Sequence, residues 1–175
     1  MTARSSPLVV NAAELLREPG TRRHIEVTVP REAVGLDDDR LTGDVSVDLD
    51  IESTLHDVVV TGHLHAPWRD ECRRCLRPLS GILEVAVEEQ YAEEPGPAGD
   101  LFPITGGQID LAPMVREEIL LALPDAPLCR PDCPGLCPLC GADLQEGPCG
   151  CDTAARDERW AVLDQLRRDM QSRPS

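Results

Sequence analysis

Most of the cysteines in this chain are spaced like metal ligands, and six of the eight lie close together in its C-terminal third. Cys137 and Cys140 form a C-x2-C pair followed by Gly141, and Cys149 and Cys151 form a tighter pair shortly after. The turn inside C-x2-C points both thiolates at one ion, and glycine just after it suits a backbone with positive φ. These four cysteines therefore predict a closed site with four thiolate ligands, the structural type of zinc site.

The remaining cysteines are expected to hold a second ion. Cys72 and Cys75 form an upstream C-x2-C pair, and Cys129 and Cys133 are spaced C-x3-C. Eight ligands divide evenly into two sites of four, so the economical partition joins these two pairs. That site would tie a hairpin tip to a distant segment of the chain. A second partition stays open, with Cys129, Cys133, Cys137 and Cys140 at one ion and Cys72, Cys75, Cys149 and Cys151 at the other.

Zinc is the expected ion, and two structural zinc sites of four cysteines each are predicted. Four thiolates also suit iron, so iron–sulfur ligation is the chemical alternative. Residues 1–20 lack the apolar core of a signal peptide, and no later run approaches a membrane span, so we expect a cytoplasmic protein without membrane contact. In a reducing cytoplasm, clustered cysteines are metal ligands more often than disulfides.

A basic cluster surrounds the upstream cysteine pair and consists of Arg69, Arg73, Arg74 and Arg77. These arginines either compensate the net charge of about −2 carried by four thiolates and one Zn²⁺, or contact a phosphate or another group of a partner. Arginine also lowers the pKa of a neighbouring thiol, so a redox role for Cys72 and Cys75 is a further possibility. The βαβ context of a thioredoxin-like motif is absent from the sequence.

Three of the four histidines lie shortly before this cluster, namely His56, His63 and His65. His63 and His65 fall on one face of a predicted strand and could reach a metal. Since the cysteines already supply two full sites, we interpret these histidines as surface or cross-strand residues. We find no Ser/His/Asp set, phosphate-cradling glycine loop or HExxH pattern, and the sequence therefore predicts a protein that is not an enzyme.

The composition favours a protein partner over naked nucleic acid. The chain has 175 residues, a formal net charge of −15 and only 2% aromatic residues. Nucleic-acid affinity that is independent of sequence comes from Lys and Arg neutralising phosphates, and base stacking requires aromatic side chains. A basic protein fits this acidic surface better than RNA does.

Hydrophobic alternation with a period of two predicts an antiparallel sheet with one wet face. The predicted strands are Leu8–Val10, His24–Val29, Leu41–Ile51, Val58–Leu64 and Ile82–Val87. The Cys72/Cys75 pair lies between the last two, which predicts a metal knuckle at the tip of a β-hairpin. The acidic segment Glu88–Pro97 is predicted to be a mobile loop.

Two main helices are predicted. Asp110 is the expected N-cap of a helix over Leu111–Leu123, whose apolar stripe consists of Leu111, Val115, Ile119 and Ala122, widened by Met114 and Leu123. A second helix is predicted over Asp157–Met170 from the helical spacing of Trp160, Leu163, Leu166 and Met170. A brief helix capped by Asn11 should run through Arg17.

These elements predict an α+β fold with a small antiparallel β-sheet, two main helices and a cysteine-rich zinc-binding segment. We expect an α+β domain with a C-x2-C hairpin knuckle over residues 1–128 and a cysteine-rich zinc segment over residues 129–152. A C-terminal helix over residues 153–175 should pack back on the rest.

The chain resembles the YceD family of large ribosomal RNA subunit accumulation proteins. Three stretches carry the resemblance: Glu71–Leu76, the helix segment Ile109–Pro124, and Cys129–Cys151 followed by Asp157–Leu163. They occur in order, and the resemblance extends over roughly residues 8–170. It is the combination of these motifs that is specific.

The resemblance implies a role in the synthesis, processing or stability of 23S ribosomal RNA. Some family members lack the cysteine-rich tail, so the shared Cys72/Cys75 pair and the Leu111–Leu123 helix are the better candidates for the common activity. We expect a non-catalytic ribosome biogenesis factor that engages a basic ribosomal protein or a large-subunit assembly intermediate, and direct RNA contact stays open. The alternatives are an RNA-processing enzyme and a redox- or metal-sensing regulator.

Overall fold

The computed structural model of the chain describes residues 6–95, 101–152, 163 and 166–168. The chain divides into two compact units. The first contains the described residues up to Cys72 together with Arg77–Pro127, and the second contains Arg73–Leu76 and the described residues from Leu128 onward. The first unit holds all the regular strands and the long helix.

A five-stranded sheet in the order β2-β3-β4-β5-β6 forms the frame of the first unit. Neighbouring strands in this sheet are antiparallel, except that the short β6 runs parallel to β5. The central hairpin of β4 and β5 is long because their backbones stay in register from Val58–Tyr91 to Glu71–Pro78. The strands are β2 (Arg22–Val29), β3 (Val45–Ser53), β4 (Val58–Glu71), β5 (Pro78–Ala92) and β6 (Phe102–Pro103).

The predicted alternation is confirmed most clearly in β3, where every second side chain is buried. Val47, Leu49 and Ile51 have at most 1% of their surface exposed, while Asp48 and Asp50 between them face solvent. One face of the sheet therefore forms the core, and the opposite face is open. The core is aliphatic, as expected from a composition with 2% aromatic residues.

Helix α2 (Ala112–Ala122) covers the buried face through Met114, Val115 and Ile119. The predicted N-cap is wrong by one residue, because Leu111 occupies the cap position. Asp110 nevertheless accepts a hydrogen bond from the Ala112 N–H through Oδ1, at 3.0 Å. Of the predicted apolar stripe, Leu111, Val115 and Ile119 are buried, whereas Ala122, the last residue of the helix, is exposed.

A second, two-stranded sheet consists of β1 (Val9–Asn11) and β7 (Gln108–Asp110). Between β1 and β2 lies the single-turn helix α1 (Ala12–Leu15), and a 3-10 turn (Arg31–Val34) follows β2. Asn11 caps α1 as predicted, since its side chain accepts a hydrogen bond from the Glu14 N–H at 3.2 Å. The helix ends at Leu15 instead of Arg17.

Several predicted boundaries need correction. Leu41 is buried but lies outside β3 and pairs only through an isolated bridge with Trp68. The first part of the predicted loop, residues 88–92, belongs to β5, because this acidic stretch continues the pairing with β4. Its last two residues, 96 and 97, lie outside the described residues.

The prediction of two main helices is confirmed only in part. Within residues 6–95 and 101–152, α2 is the one helix longer than a single turn. The predicted C-terminal helix over Asp157–Met170 lies mostly outside the described residues, although Leu163 and residues 166–168 are helical. No helix in the described part of the chain is long and apolar enough to cross a membrane.

The second unit has an interior of a different kind. Among its described residues, the buried side chains that could act as a core are Cys75, Cys133 and Cys137. Its backbone is held by short turns and isolated contacts, such as the bridge between Leu136 and Asp143. Thiols thus occupy the positions that aliphatic side chains occupy in the first unit.

Candidate metal centres

The upstream cysteine pair lies in the turn that joins β4 to β5, as the sequence predicted. The Cys72 N–H donates to the Arg77 carbonyl at 2.8 Å, which closes this turn. Leu76 has a φ of 59°, a conformation unusual for a residue with a Cβ, and it bends the chain after the second thiol. Both Cys72 and Cys75 are buried.

The first cluster consists of Cys72, Cys75, Cys129 and Cys133, whose Sγ atoms all lie within 4.8 Å of one another. The Sγ atoms of Cys75 and Cys129 are 3.7 Å apart. Within the second unit the cysteine turns contact each other through the backbone, because the Leu136 N–H donates to the Arg74 carbonyl at 3.0 Å. The structure thus brings together two pairs that are far apart in the sequence.

The second cluster consists of Cys137, Cys140, Cys149 and Cys151, and its Sγ atoms also lie within 4.8 Å of one another. Gly141 follows the C-x2-C pair with a φ of 74°, as predicted, and its N–H donates to the Cys137 carbonyl at 2.9 Å. The Cys137 N–H in turn donates to the Ala142 carbonyl at 2.8 Å. This grouping is the first of the two partitions that the sequence left open.

The geometry of both clusters fits one tetrahedral ion in each. A zinc ion bound to four sulfurs at about 2.3 Å separates those sulfurs by about 3.8 Å. The observed separations, with 4.8 Å as their upper limit, match this arrangement without large rearrangement. Each cluster could therefore bind a metal ion, and four sulfurs in this geometry suit zinc or iron.

Backbone donors prepare one thiol of the second cluster for ligation. The N–H groups of Cys140 and Leu139, with a further hydrogen bond from Cys149, lower the pKa of Cys137 to about 6. Hydrogen bonding with Cys140, together with burial, raises the pKa of Cys151 to about 12. Four thiols this close cannot all ionise without a cation, so their charge repulsion favours metal binding.

The four arginines of the basic cluster are all exposed, and they have different surroundings. The Arg74 guanidinium donates to the Cys133 carbonyl at 2.9 Å and to the Pro131 carbonyl at 3.4 Å. Arg69 lines an open pocket of about 420 Å³ together with Glu32, Asp39 and Asp44. Arg73 and Arg77 flank the knuckle, and both have interaction partners. Arg74 therefore supports the metal-binding segment directly, a contact that its sequence position did not reveal.

The histidines lie apart from both cysteine clusters. His63 and His65 are on the outer face of β4, opposite Asp48 and Ser46 of β3 in the strand register. His56 is exposed in the turn between β3 and β4. Neither cysteine cluster includes a histidine.

One residue beside the clusters was missed by sequence reasoning. The Gln145 side chain places Nε2 at 3.7 Å from Cys133 Sγ and at 3.9 Å from Cys129 Sγ. A lone glutamine in a glycine- and proline-rich loop gives no sequence signal for such a contact. Only the folded arrangement of the loop shows that it approaches the sulfurs.

Comparison with known proteins identifies relatives over almost the whole chain. A Mycobacterium tuberculosis protein described as uncharacterised is 37% identical over 171 residues, covering 93% of this chain and 82% of its own length. A Mycobacterium leprae protein with the same description is 34% identical over 173 residues, covering 92% of this chain and 78% of its own. No solved structure matches significantly.

Two further matches carry a functional description. The Arabidopsis thaliana protein named large ribosomal RNA subunit accumulation protein YCED homolog 1, chloroplastic, is 31% identical over 72 residues, which is 41% of this chain and 22% of its own. The family model described as large ribosomal RNA subunit accumulation protein YceD matches residues 60–167, which include both cysteine clusters and α2. The chain therefore belongs to the YceD family, and this membership implies a role in the accumulation of large-subunit ribosomal RNA.

Proposed function

We propose that the protein is a non-catalytic, zinc-binding factor in large ribosomal subunit assembly that binds a basic ribosomal protein on the open face of its sheet. Binding there promotes the accumulation of 23S ribosomal RNA indirectly, because the ribosomal protein is kept available for incorporation. The family supplies the connection to ribosomal RNA. The charge of the sheet face is the observation that carries the choice of partner.

The open face includes four cross-strand rows in which six carboxylates stand against one arginine. Asp48 is paired with Glu26 on one side and His63 on the other, and Asp50 is paired with His24 and Thr61. Further carboxylates on this face belong to Glu52, Glu84 and Glu88, and Arg22 is the arginine in these rows. Arg22 is already engaged by Glu52 at 2.9 Å.

A face of this kind selects a cationic partner. Carboxylates in adjacent strands repel one another because all of them are negatively charged. A protein surface rich in Lys or Arg neutralises them and is attracted from a distance. An RNA phosphate backbone would be repelled by the same rows. The contact should be rapid and salt-sensitive, as expected of a chaperone that must release its cargo.

Affinity purification of the full chain from cells, with and without neutralising substitutions, tests the proposal. The first variant neutralises the open face by Glu26→Gln, Asp48→Asn, Glu84→Gln and Glu88→Gln. The matched control makes the same charge change away from the face by Glu14→Gln, Glu18→Gln, Glu93→Gln and Glu94→Gln, all exposed positions. We expect the wild type and the control to recover basic ribosomal proteins, and the face variant to lose them.

Two outcomes would count against the proposal. If the wild type recovers no ribosomal protein, the proposed partner is wrong. Equal loss in both variants would show that the net charge, and not the open face, attracts basic proteins.

The RNA-processing alternative requires chemistry that these clusters do not offer. Four protein sulfurs fill a tetrahedral zinc ion and leave no position for the water that a hydrolytic metal must activate. Incubation of the pure, metal-loaded protein with precursor ribosomal RNA distinguishes the two functions. Intact RNA is expected, and specific cleavage that a chelator abolishes would favour the enzyme.

A further inference from the structure

We infer that the two metal centres are coupled through Gln145, so that occupation of the second cluster strengthens metal binding by the first. This inference rests on the proposed binding of metal by both clusters. It assigns a positioning role to a residue that is not a ligand of either ion.

The amide of Gln145 is directed at two ligands of the first cluster. Its Nε2 lies 3.7 Å from the Sγ of Cys133 and 3.9 Å from the Sγ of Cys129. An N–H donor stabilises a thiolate more than a neutral thiol, because the hydrogen bond is assisted by the sulfur's charge. Gln145 is half-buried and Cys133 has 1% of its surface exposed, so water competes little for this contact.

The backbone of Gln145, by contrast, belongs to the second cluster. The residue lies in the loop between Cys140 and Cys149, two ligands of that cluster. The Gln145 N–H donates to Asp143 Oδ1 at 2.9 Å, and the Leu144 N–H donates to the Gly135 carbonyl at 3.0 Å. The position of the Gln145 side chain therefore depends on how this loop is held.

A second metal ion would add to these hydrogen bonds by fixing the loop at both of its ends. Cys149 is half-buried and Cys140 is exposed, and neither is buried among aliphatic side chains that could hold the loop by packing. An ion that joins Cys137, Cys140, Cys149 and Cys151 fixes both ends of the loop and thereby places the Gln145 amide. By thermodynamic linkage, the first ion must then favour the second by the same factor.

Metal-binding measurements on the full chain test the coupling. Substitution of a residue that supports a metal ligand typically costs about 10- to 100-fold in metal affinity. We therefore expect Gln145→Ala to release one of the two zinc ions about 10-fold faster to a chromophoric chelator. Gln145→Glu, which replaces the donor by a carboxylate next to thiolates, should have the larger effect. Glu146→Gln, at the exposed neighbouring position, is the control and should match the wild type.

A double-mutant cycle separates coupling from a local effect. Cys149→Ser combined with Cys151→Ser disables the second cluster, and the affinity of the remaining first cluster for Co²⁺ is read from thiolate-to-metal absorption. We expect this background to weaken the first cluster about 10-fold or more. Adding Gln145→Ala in this background should then change little, because the amide is no longer held in place.

The outcomes distinguish failure of the inference from failure of the proposed function. If wild-type protein binds no metal at either cluster, the proposed zinc binding fails. If it binds two ions but Gln145→Ala releases both at the wild-type rate, only the coupling is overturned. An equal cost of Gln145→Ala with and without the second cluster would also overturn it. Far-UV circular dichroism of each variant confirms that the sheet is folded.

Discussion

Gly135 shows how closely the two cysteine-bearing segments of the second unit approach each other. A Cβ at this position would lie 2.8 Å from the Arg74 carbonyl oxygen, a distance at which the backbone must shift. Its φ of 78° adds the ordinary strain of a left-handed conformation for any other residue. Position 135 therefore requires glycine for two separate reasons, the close contact with Arg74 and the left-handed backbone.

Gly135→Ala should destabilise the second unit more than Gly141→Ala does. The two glycines have nearly the same φ, 78° and 74°, but nothing lies within 4 Å of a Cβ at Gly141. Both substitutions carry the left-handed strain of about 1–2 kcal/mol, and only Gly135→Ala adds a backbone clash. Rates of zinc release measure the difference, and equal rates would contradict the close approach.

Arg74 and Arg73 are neighbours with different predicted roles. Arg74→Gln removes the donors to the Cys133 and Pro131 carbonyls, so we expect zinc release from the first cluster to accelerate about 10-fold. Arg73→Gln removes the same charge and leaves those two carbonyl contacts in place, so it should release zinc at close to the wild-type rate. If both variants lose ribosomal-particle binding while their zinc content is intact, charge compensation alone no longer explains the cluster.

At the scale of elements, the packing of α2 on the sheet includes an unfavourable carboxylate group. Glu89 of β5 is paired with the buried Val60, so it points to the face that α2 covers. Burial and the nearby carboxylates of Glu118 and Glu117 raise the pKa of Glu89 above its ordinary value of 4.5. An acid whose pKa is raised by folding destabilises the folded state where it is ionised.

Glu89→Gln should therefore stabilise the protein at neutral pH. The folded state holds the Glu89 proton more tightly than the unfolded state, so wild-type stability falls as the pH rises through the raised pKa. The substitution removes that loss, and its advantage should disappear as the pH is lowered below 4.5. Thermal unfolding across this pH range measures the difference. Glu88→Gln, on the open face, is the control, and an equal gain there would contradict the explanation.

The elements differ in how well the sequence predicted them. Strict alternation located β3 and the start of β4, because one buried face leaves a period of two in the residues. The tip of the β4–β5 hairpin, residues 67–71 and 78–81, escaped prediction, since these residues are at least partly exposed and are joined by backbone pairing. The same holds for the short strands β6 and β7, which depend on neighbours distant in sequence.

The metal clusters were predictable for a different reason. Thiolate spacing is a local property for Cys137 to Cys151, and it indicated that site without knowledge of the fold. Spacing could not decide how the other cysteines are shared, because that depends on where β4 and β5 carry Cys72 and Cys75. The Gln145 contact is wholly tertiary, so no pattern in the sequence could reveal it.

For the whole molecule, the contrast between the two interiors predicts two separate responses to metal removal. The first unit has an aliphatic core, whereas the described interior of the second unit consists of cysteine side chains. Structures that cannot bury enough apolar surface depend on bound metal for their folding energy. The second unit should therefore unfold when metal is removed, and the sheet should persist.

Hydrogen exchange measured by mass spectrometry checks this expectation. After treatment with a strong zinc chelator, amides of Leu136, Cys137 and Leu144 should lose protection, because their hydrogen bonds lie among the cysteine turns. Amides of Val47 and Leu49 in β3 should keep theirs. Chelator saturated with zinc beforehand is the control. Protection that persists at residues 128–152 without metal would contradict a metal-dependent second unit.

Cys75 and Cys129 are 54 positions apart in the chain, so they are synthesised at different times. A ribosome adds about 5–20 residues per second, so Cys75 waits about 3–11 s for Cys129 to be made. During that interval the β4–β5 hairpin can already pair, yet its two thiols have no partners with which to share an ion. We therefore expect each newly made molecule to pass once through a stage in which these thiols are more open to oxidants and competing metals than in the folded protein. The two thiols should therefore be most open to oxidation during synthesis and less so in the folded protein.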